Sequence, residues 1–275
     1  MIVAQVIGDL RIGGAERLFV DLANSLSPRD TFVVLLNDSE VEPNLRQSLK
    51  SEISVQVCPV RKRTFFIDLL RLARLFRRME CDVVHTHMFW ANLYGSVGAA
   101  LANVPVVVTS EHGRNEWKRA WHKWMESKLV SRIADRRLCV SQDILERRRD
   151  VDGVPRGKLE LLPNGTRIPD EFSHDMAGLL LVGSVGRLVK EKDFPTLVKA
   201  VSLLNKGRHE CRLEIVGEGP ARADIERVIE AEGLADRVEL AGSQQDVGQW
   251  LRRWSVFASS SVQEGGSPKT KRKTT

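Results

Sequence analysis

The chain has 275 residues, 42% of them hydrophobic and 28% charged, which excludes a peptide or a wholly disordered polypeptide and suits two globular domains. Its 42 Lys and Arg exceed its 36 Asp and Glu, giving a net charge of +6. Lys269, Lys271, Arg272 and Lys273 crowd the C-terminal end, and without them 38 basic residues face 36 acidic ones, a balance that argues against a nucleic-acid partner.

In chain order, the apolar run Ile2 to Ile7 predicts a strand, a glycine-containing turn follows, and Ala15 to Leu26 predicts an amphipathic helix. A strand is expected over Thr31 to Leu36, a short helix over Pro43 to Lys50, a strand over Val55 to Val57 and a helix over Ile67 to Met79. Val83 and Val84 head a further strand, Trp90 to Ala102 a helix, and Val104 to Thr109 a β-branched strand. Turn formers cluster in LLPNGTRIPDEFSH at 161–174 and mark a junction. Beyond it, strands are expected over Leu179 to Val185, Cys211 to Val216, Val238 to Leu240 and Val256 to Ser259, with helices over Phe194 to Leu204 and Ala221 to Gly233. Alternation of this kind builds parallel sheets covered by helices on both faces, because each parallel crossover needs a long connection. The expected architecture is α/β: two doubly wound, Rossmann-like domains, 1–165 and 166–265, with ligands at the carboxyl ends of the strands in a cleft between them. Residues 266–275 read as a basic, polar, disordered tail.

Cys58, Cys81, Cys139 and Cys211 form no CxxC pair and fit neither a disulfide framework nor a zinc site. Residues 1–10 lack a basic leader region, and no run reaches the about 18 apolar residues of a spanning helix, so the expected location is cytoplasmic.

Several strings carry chemistry. Gly13 and Gly14 open a helix after the first strand, and backbone N–H groups at such an end suit a phosphate, although neither GxGxxG nor GxxxxGK[ST] is present. In Gly186-Arg187-Leu188-Val189-Lys190-Glu191-Lys192, Arg187 offers a planar fork and Lys192 a point charge to a diphosphate; a solvated charged loop is the alternative. His85 and His87 lie two apart, on one face of a continuing strand, and are expected to line the cleft or touch the acceptor; with too few further ligands, no metal is assigned. Trp117, Trp121 and Trp124 recur at helical spacing among Lys118, Arg119, Lys123 and Lys128. They pack on their own domain or contact an anionic membrane surface.

GGAERLFVDLANSL at 13–26, DVVHTHMFWANLYG at 82–95, VVVTSEHG at 106–113, LCVSQ at 138–142, LLPNGTRI at 161–168, GSVGRLVKEKDFPTLVKA at 183–200, LEIVGEGP at 213–220, VELAGSQQDV at 238–247 and SSSVQEG at 259–265 occur in this order. Together the chain resembles the retaining, GT-B-fold glycosyltransferases that use nucleotide-sugar donors. The resemblance implies transfer of a hexose from a nucleotide-diphosphate sugar to a glycan or lipid-linked acceptor, with no cofactor, by an enzyme at most peripheral to the inner face of the membrane. It implies that His112 and Glu264 are catalytic, His112 facing the sugar and Glu264 bonding its hydroxyls. Gly14, Arg187 and Lys192 would hold the donor diphosphate, with Gly13, His85 and His87 lining the cleft or acceptor site. The family's second glutamate is expected eight positions after Glu264, where Arg272 stands, and GSPKTKRKTT after Gly265 has no helical pattern. The second domain is therefore expected to be incomplete, through truncation or a frameshift, and activity impaired. The alternatives are a degenerate nucleotide- or sugar-binding module without turnover, and an NAD-dependent oxidoreductase or epimerase, whose glycine fingerprint is not found.

Overall fold

The computed structural model describes residues 1–11, 13–37, 45–113, 119–165, 180–207, 210–244 and 246–262. They form two compact units, one described over 1–165 and the other over 180–262. Glu264, Trp117 and the tail from 266 lie outside the described residues.

The first unit is built from β1 (Val3–Ile7), α1 (Gly14–Ser25), β2 (Thr31–Leu35), β3 (Ser54–Val57), α2 (Phe65–Arg78), β4 (Val83–His87), α3 (Phe89–Ala102), β5 (Val106–Glu111), β6 (Arg136–Cys139), α6 (Gln142–Asp150) and β7 (Leu159–Leu161). Between β5 and β6 run α4 (Ala120–Trp124), a π-helical segment Met125–Val130 and the single turn α5 (Ser131–Ile133). The strands make one parallel sheet in the order β3-β2-β1-β4-β5-β6-β7. Alternation along β1 shows how the sheet is covered. Ala4 and Val6 face a core containing Leu72, Phe76 and Tyr94, whereas Ile7 faces Phe19, Val20 and Ala23 of α1 on the other side. α2 is helical because Leu69, Leu72, Ala73 and Phe76 repeat at i, i+3, i+4 and i+7 and are all buried. Its start is fixed by Asp68, whose Oδ2 accepts from the Arg61 N–H at 2.8 Å and the Thr64 hydroxyl at 2.6 Å.

The second unit comprises β8 (Leu180–Val185), α7 (Phe194–Lys206), β9 (Cys211–Val216), α8 (Arg222–Ala231), β10 (Val238–Gly242), α9 (Val247–Arg253) and β11 (Val256–Phe257). Its parallel sheet has the order β10-β9-β8-β11. Leu213 and Ile215 of β9 and Val198 and Val201 of α7 form its centre.

Two expectations are corrected. Within the stretch expected as a helix over Pro43 to Lys50, the described part is only a 3₁₀ turn at Arg46–Ser48. The strand expected from Val104 begins at Val106 and runs on to Glu111. β6, β7, α6 and α9 were not foreseen. Among the described residues no helix is long and apolar enough to cross a membrane.

Candidate functional site

In both sheets the strand first in sequence lies between its immediate successor and a strand that follows later, so the order in which strands are added reverses at β1/β4 and at β8/β11. Ligands of open parallel sheets bind at the carboxyl ends of strands beside such a reversal. Gly13, Gly14, His85, His87 and His112 lie on or after β1, β4 and β5 around the first reversal, and Arg187 and Lys192 on the loop after β8; Glu264 lies outside the described residues.

In the first unit, parallel register sets Gln5 beside His85 and His87 beside Ser110. His85 and His87 share one face of β4, with ring centroids 4.1 Å apart. His85 Nε2 meets Ser110 Oγ at 2.8 Å, His87 Nε2 meets Gln5 Oε1 at 3.0 Å, and His87 Nδ1 meets His112 Nε2 at 3.1 Å. The Phe19 ring closes the cluster, edge-on to His87 at 5.0 Å. These contacts order the protons. With the Gln5 amide oxygen accepting from His87 Nε2–H, His87 Nδ1 is a lone pair that accepts from His112 Nε2–H. His112 Nδ1 is then a buried acceptor, and it has no hydrogen-bond partner among the described residues.

All three rings are held neutral at pH 7. Burial lowers His85 to about 4, helped by His112. Burial, then His85 and His112, push His87 well below the usual imidazole range. Burial lowers His112 against the opposing pull of Glu111. Linkage turns this into a stability prediction. Above about pH 6.5 an unfolded His85 is neutral like the folded one; between 6.5 and 4 the unfolded chain takes a proton that the folded chain refuses. Stability is expected to be full above that window and to fall through it by up to roughly 3 kcal/mol from His85 alone. Urea unfolding at stepped pH measures this, and His85→Gln should flatten the profile; equal slopes for both proteins would refute the shift.

The loop carrying His112 rests on a charged cluster that sequence reasoning missed. Glu111, Glu126, Arg137, Arg148 and Asp152 are all buried. Glu111 Oε1 accepts from Arg137 at 2.8 Å and from the Asn92 amide at 3.0 Å, while its Oε2 accepts from Arg148 at 2.9 Å. Arg148 also reaches Glu126 at 3.4 Å, Asp152, and the Gly113 carbonyl at 3.2 Å. The wide turn at Met125–Val130 leaves the Glu126 carbonyl open to the Ser131 hydroxyl at 2.7 Å and Arg137 at 3.1 Å. Residues 111 and 113 are thus pinned on either side of His112.

Gly13 is the N-cap of α1, in extended conformation. The Glu16 carboxylate lies over it, with Oε2 2.2 Å from where a Cβ would stand, whereas Gly14 has open space. The positive end of α1 therefore already faces a carboxylate of its own first turn.

In the second unit Arg187 follows β8, is exposed, and forms no ion pair among the described residues. Lys192 is half-buried, and its Cδ and Cε pass 3.4 and 3.3 Å from the Cβ position of Gly186. The Gly217-Glu218-Gly219-Pro220 turn after β9 is laced to this loop by Gly186 N to Val216 O at 3.0 Å, Leu188 N to Glu218 O at 2.9 Å and Ala221 N to Leu188 O at 2.9 Å. Beyond β11, the Val262 N–H donates to the Glu191 carbonyl and the Ser260 hydroxyl to the Lys192 carbonyl, both at 2.9 Å. The structure thus brings Arg187 and Lys192 together on one loop, and His85, His87 and His112 into another cluster. Trp121 and Trp124 are 46% and 62% exposed, and Trp121 stacks on His122 with ring centroids 3.6 Å apart.

Residues 12–168 match the family model Glycosyltransferase Family 4, and residues 180–271 match Glycosyl transferases group 1. A 2-deoxystreptamine glucosyltransferase of Streptomyces kanamyceticus is 29% identical over 201 residues, covering 63% of this chain and 51% of the relative. The UDP-Gal:alpha-D-GlcNAc-diphosphoundecaprenol alpha-1,3-galactosyltransferase of Escherichia coli is 25% identical over 222 residues, covering 72% and 56% respectively. The chain therefore spans about half the length of these curated relatives. The structure of Anabaena Alr3699/HepE in complex with UDP and glucose superposes with a TM-score of 0.79 at 18% identity, over 95% of this chain and 74% of that one. That likeness is one of fold, and the fold is GT-B.

Proposed function

The chain belongs to Glycosyltransferase Family 4, and on that premise we propose that it transfers a hexose, with retention, from a nucleotide-diphosphate sugar to a glycan or lipid-linked acceptor. The observation that carries this is the exposed Arg187 on the loop after β8, which also carries Lys192 and whose backbone is bonded to the glycine turn after β9, at the reversal of the second sheet. Two cations at strand ends suit a nucleoside diphosphate, the group on which negative charge grows as the sugar leaves. In the first unit His112 Nδ1, without a hydrogen-bond partner among the described residues, is an acceptor for a sugar hydroxyl. His112 and Glu264 take the catalytic roles; His85, His87 and Gly13 shape the acceptor side, and Gly14 joins Arg187 and Lys192 on the diphosphate. No metal or other cofactor has an assigned role. A cytoplasmic location is proposed, with membrane contact through Trp117, Trp121 and Trp124. The relatives support the donor and acceptor classes: one acts on a diphosphoundecaprenol-linked sugar, and a structural neighbour binds UDP and glucose. Turnover is proposed to be slow, because Arg272 stands where the second glutamate is expected.

Calorimetry with UDP tests the assignment. Arg187→Ala leaves the fold untouched, the side chain being exposed, and should weaken nucleoside diphosphate binding by about tenfold or more. Equal affinity in both proteins would remove Arg187 from the site. Sugar release from labelled UDP-glucose then separates an enzyme from a module that binds without turnover.

A further inference from the structure

The hydrogen bonds of the histidine cluster have a direction, and a glutamine on another strand sets it. A neutral imidazole carries one N–H and one lone pair, so a ring bonded at both nitrogens donates at one and accepts at the other. His87 is bonded at both, Nε2 to Gln5 Oε1 at 3.0 Å and Nδ1 to His112 Nε2 at 3.1 Å. His87 is 1% exposed and Gln5 2%, so bulk water replaces neither partner. The Phe19 ring, edge-on at 5.0 Å, and the His85 ring at 4.1 Å hold the imidazole in its plane. What Gln5 presents to Nε2 therefore decides what His87 presents to His112.

Two proton orders are open to the chain of rings. With the proton on His87 Nε2, the Gln5 oxygen accepts it, His112 donates from Nε2, and His112 Nδ1 is left as a lone pair. The reverse order sets the His87 Nε2 lone pair against the lone pairs of the Gln5 oxygen and turns His112 Nδ1–H into a buried donor with no acceptor among the described residues. Without the Gln5 oxygen the preference disappears, because either order then leaves one ring N–H and one ring lone pair unpaired. His85 does not take over the task. Its partner is the Ser110 hydroxyl at 2.8 Å, which donates as readily as it accepts.

We infer that Gln5 is a positioning residue for His112: from β1, two strands away, its amide oxygen acts through His87 to keep the His112 proton on Nε2, which makes Nδ1 an acceptor only. The ligand group that meets Nδ1 must then bring an O–H or an N–H. An ether oxygen, a carboxylate or a deoxygenated carbon has no proton to give and leaves the buried lone pair unpaired. Gln5 thus selects ligand chemistry without touching the ligand. The inference rests on the contact between His112 and a sugar hydroxyl proposed above, and it narrows that contact to a hydroxyl that donates.

Nuclear magnetic resonance of isotopically labelled histidine nitrogens tests it in the whole chain with no ligand, because a protonated ring nitrogen and a lone pair resonate far apart. At neutral pH the wild type is expected to show His112 protonated on Nε2 alone, its signals identified by their loss in His112→Gln. Gln5→Met, close in volume and without a hydrogen-bonding group of its own, should split His112 between both tautomers in comparable amounts; Gln5→Leu repeats the test with a second apolar side chain. Ser110→Ala takes the partner from His85 but leaves the relay whole, so it should keep the wild-type pattern and separates the relay from a general loosening of the cluster. Circular dichroism checks that each variant folds. Three results would overturn the inference: His112 protonated on Nδ1 in the wild type, a single Nε2–H tautomer in the folded Gln5 variants, or the same split in Ser110→Ala. Calorimetry reads the consequence for the ligand, using UDP-glucose analogues in which one hydroxyl at a time is replaced by fluorine, which does not donate. One analogue should bind the wild type about tenfold more weakly than UDP-glucose, and Gln5→Met should narrow that gap while its affinity for UDP stays that of the wild type. Equal affinity for every analogue, with the wild-type tautomer as expected, would remove the sugar contact proposed for His112 and leave the role of Gln5 standing.

Discussion

Arg148→Met is expected to destabilise the first unit by about 3–5 kcal/mol, the cost of breaking a buried ion pair from one side. That is a large part of the about 5–15 kcal/mol that holds a typical domain. The Arg148 side chain is 1% exposed and sits among Glu111, Glu126 and Asp152. Burial alone would lower its pKa, but the three carboxylates outweigh burial and raise it, so the guanidinium remains charged. Methionine fills much of the same volume and leaves those acids with Arg137 as their remaining guanidinium among the residues described above. Arg148→Lys should rescue only in part, because one ammonium cannot span Glu111, Asp152 and the Gly113 carbonyl as a planar fork does. Arg227→Met supplies the contrast: Arg227 pairs with Asp224 while 74% exposed, and exposed pairs contribute about 0–1 kcal/mol. Urea midpoints of the three variants measure the difference. A loss for Arg148→Met no greater than that for Arg227→Met would show that the cluster is not what holds the loop.

This cluster also marks where the sequence stops being legible. β-branched runs and 3.6-residue periodicity disclose most strands and helices, because core burial writes those patterns directly into the chain. α6 stayed hidden because its buried positions are Ile144 and Arg148; a helix with an arginine on its core side has no apolar stripe to find. β6, Arg136–Cys139, is similarly disguised by the inward-facing Arg137. Period-two alternation places His85 and His87 on one face, and that much is local. Their partners Gln5 and Ser110 come from neighbouring strands, 82 positions from His87 and 25 from His85. Glu111 stands next to His112 in a string that the resemblance already picks out, yet its guanidinium partners lie 26 and 37 positions away. Sheet order, which no local pattern encodes, is what makes them a site.

Gly217→Ala is expected to disorganise the turn that holds Arg187 and to cost about 2–5 kcal/mol, from backbone strain together with overpacking. Gly217 adopts φ +146°, a region that side chains rarely enter, and an added Cβ would lie 2.0 Å from the Gly186 carbonyl oxygen and 2.9 Å from its carbon. The obstacle is backbone, so no rotamer change relieves it. Nor can the glycine turn retreat: Gly217 donates to the Gly242 carbonyl at 2.8 Å, Leu188 donates to Glu218 at 2.9 Å, and at Gly219 a Cβ would come within 2.4 Å of the Leu188 carbonyl oxygen. Relief must therefore part the loop after β8 from the loop after β9, and Arg187 moves with the first of them. Two signatures follow from that single displacement. Amides at the carboxyl ends of β8 and β9 should exchange with deuterium faster than in the wild type, while those of the first unit keep their rates. UDP affinity should fall by at least the about tenfold expected for Arg187→Ala, because the variant misplaces Lys192 along with Arg187. Gly157→Ala, where nothing lies within 4 Å of the new methyl, is the neutral control. Wild-type exchange rates and wild-type UDP affinity in Gly217→Ala would mean that the two turns are not locked together and that Arg187 is positioned by other contacts.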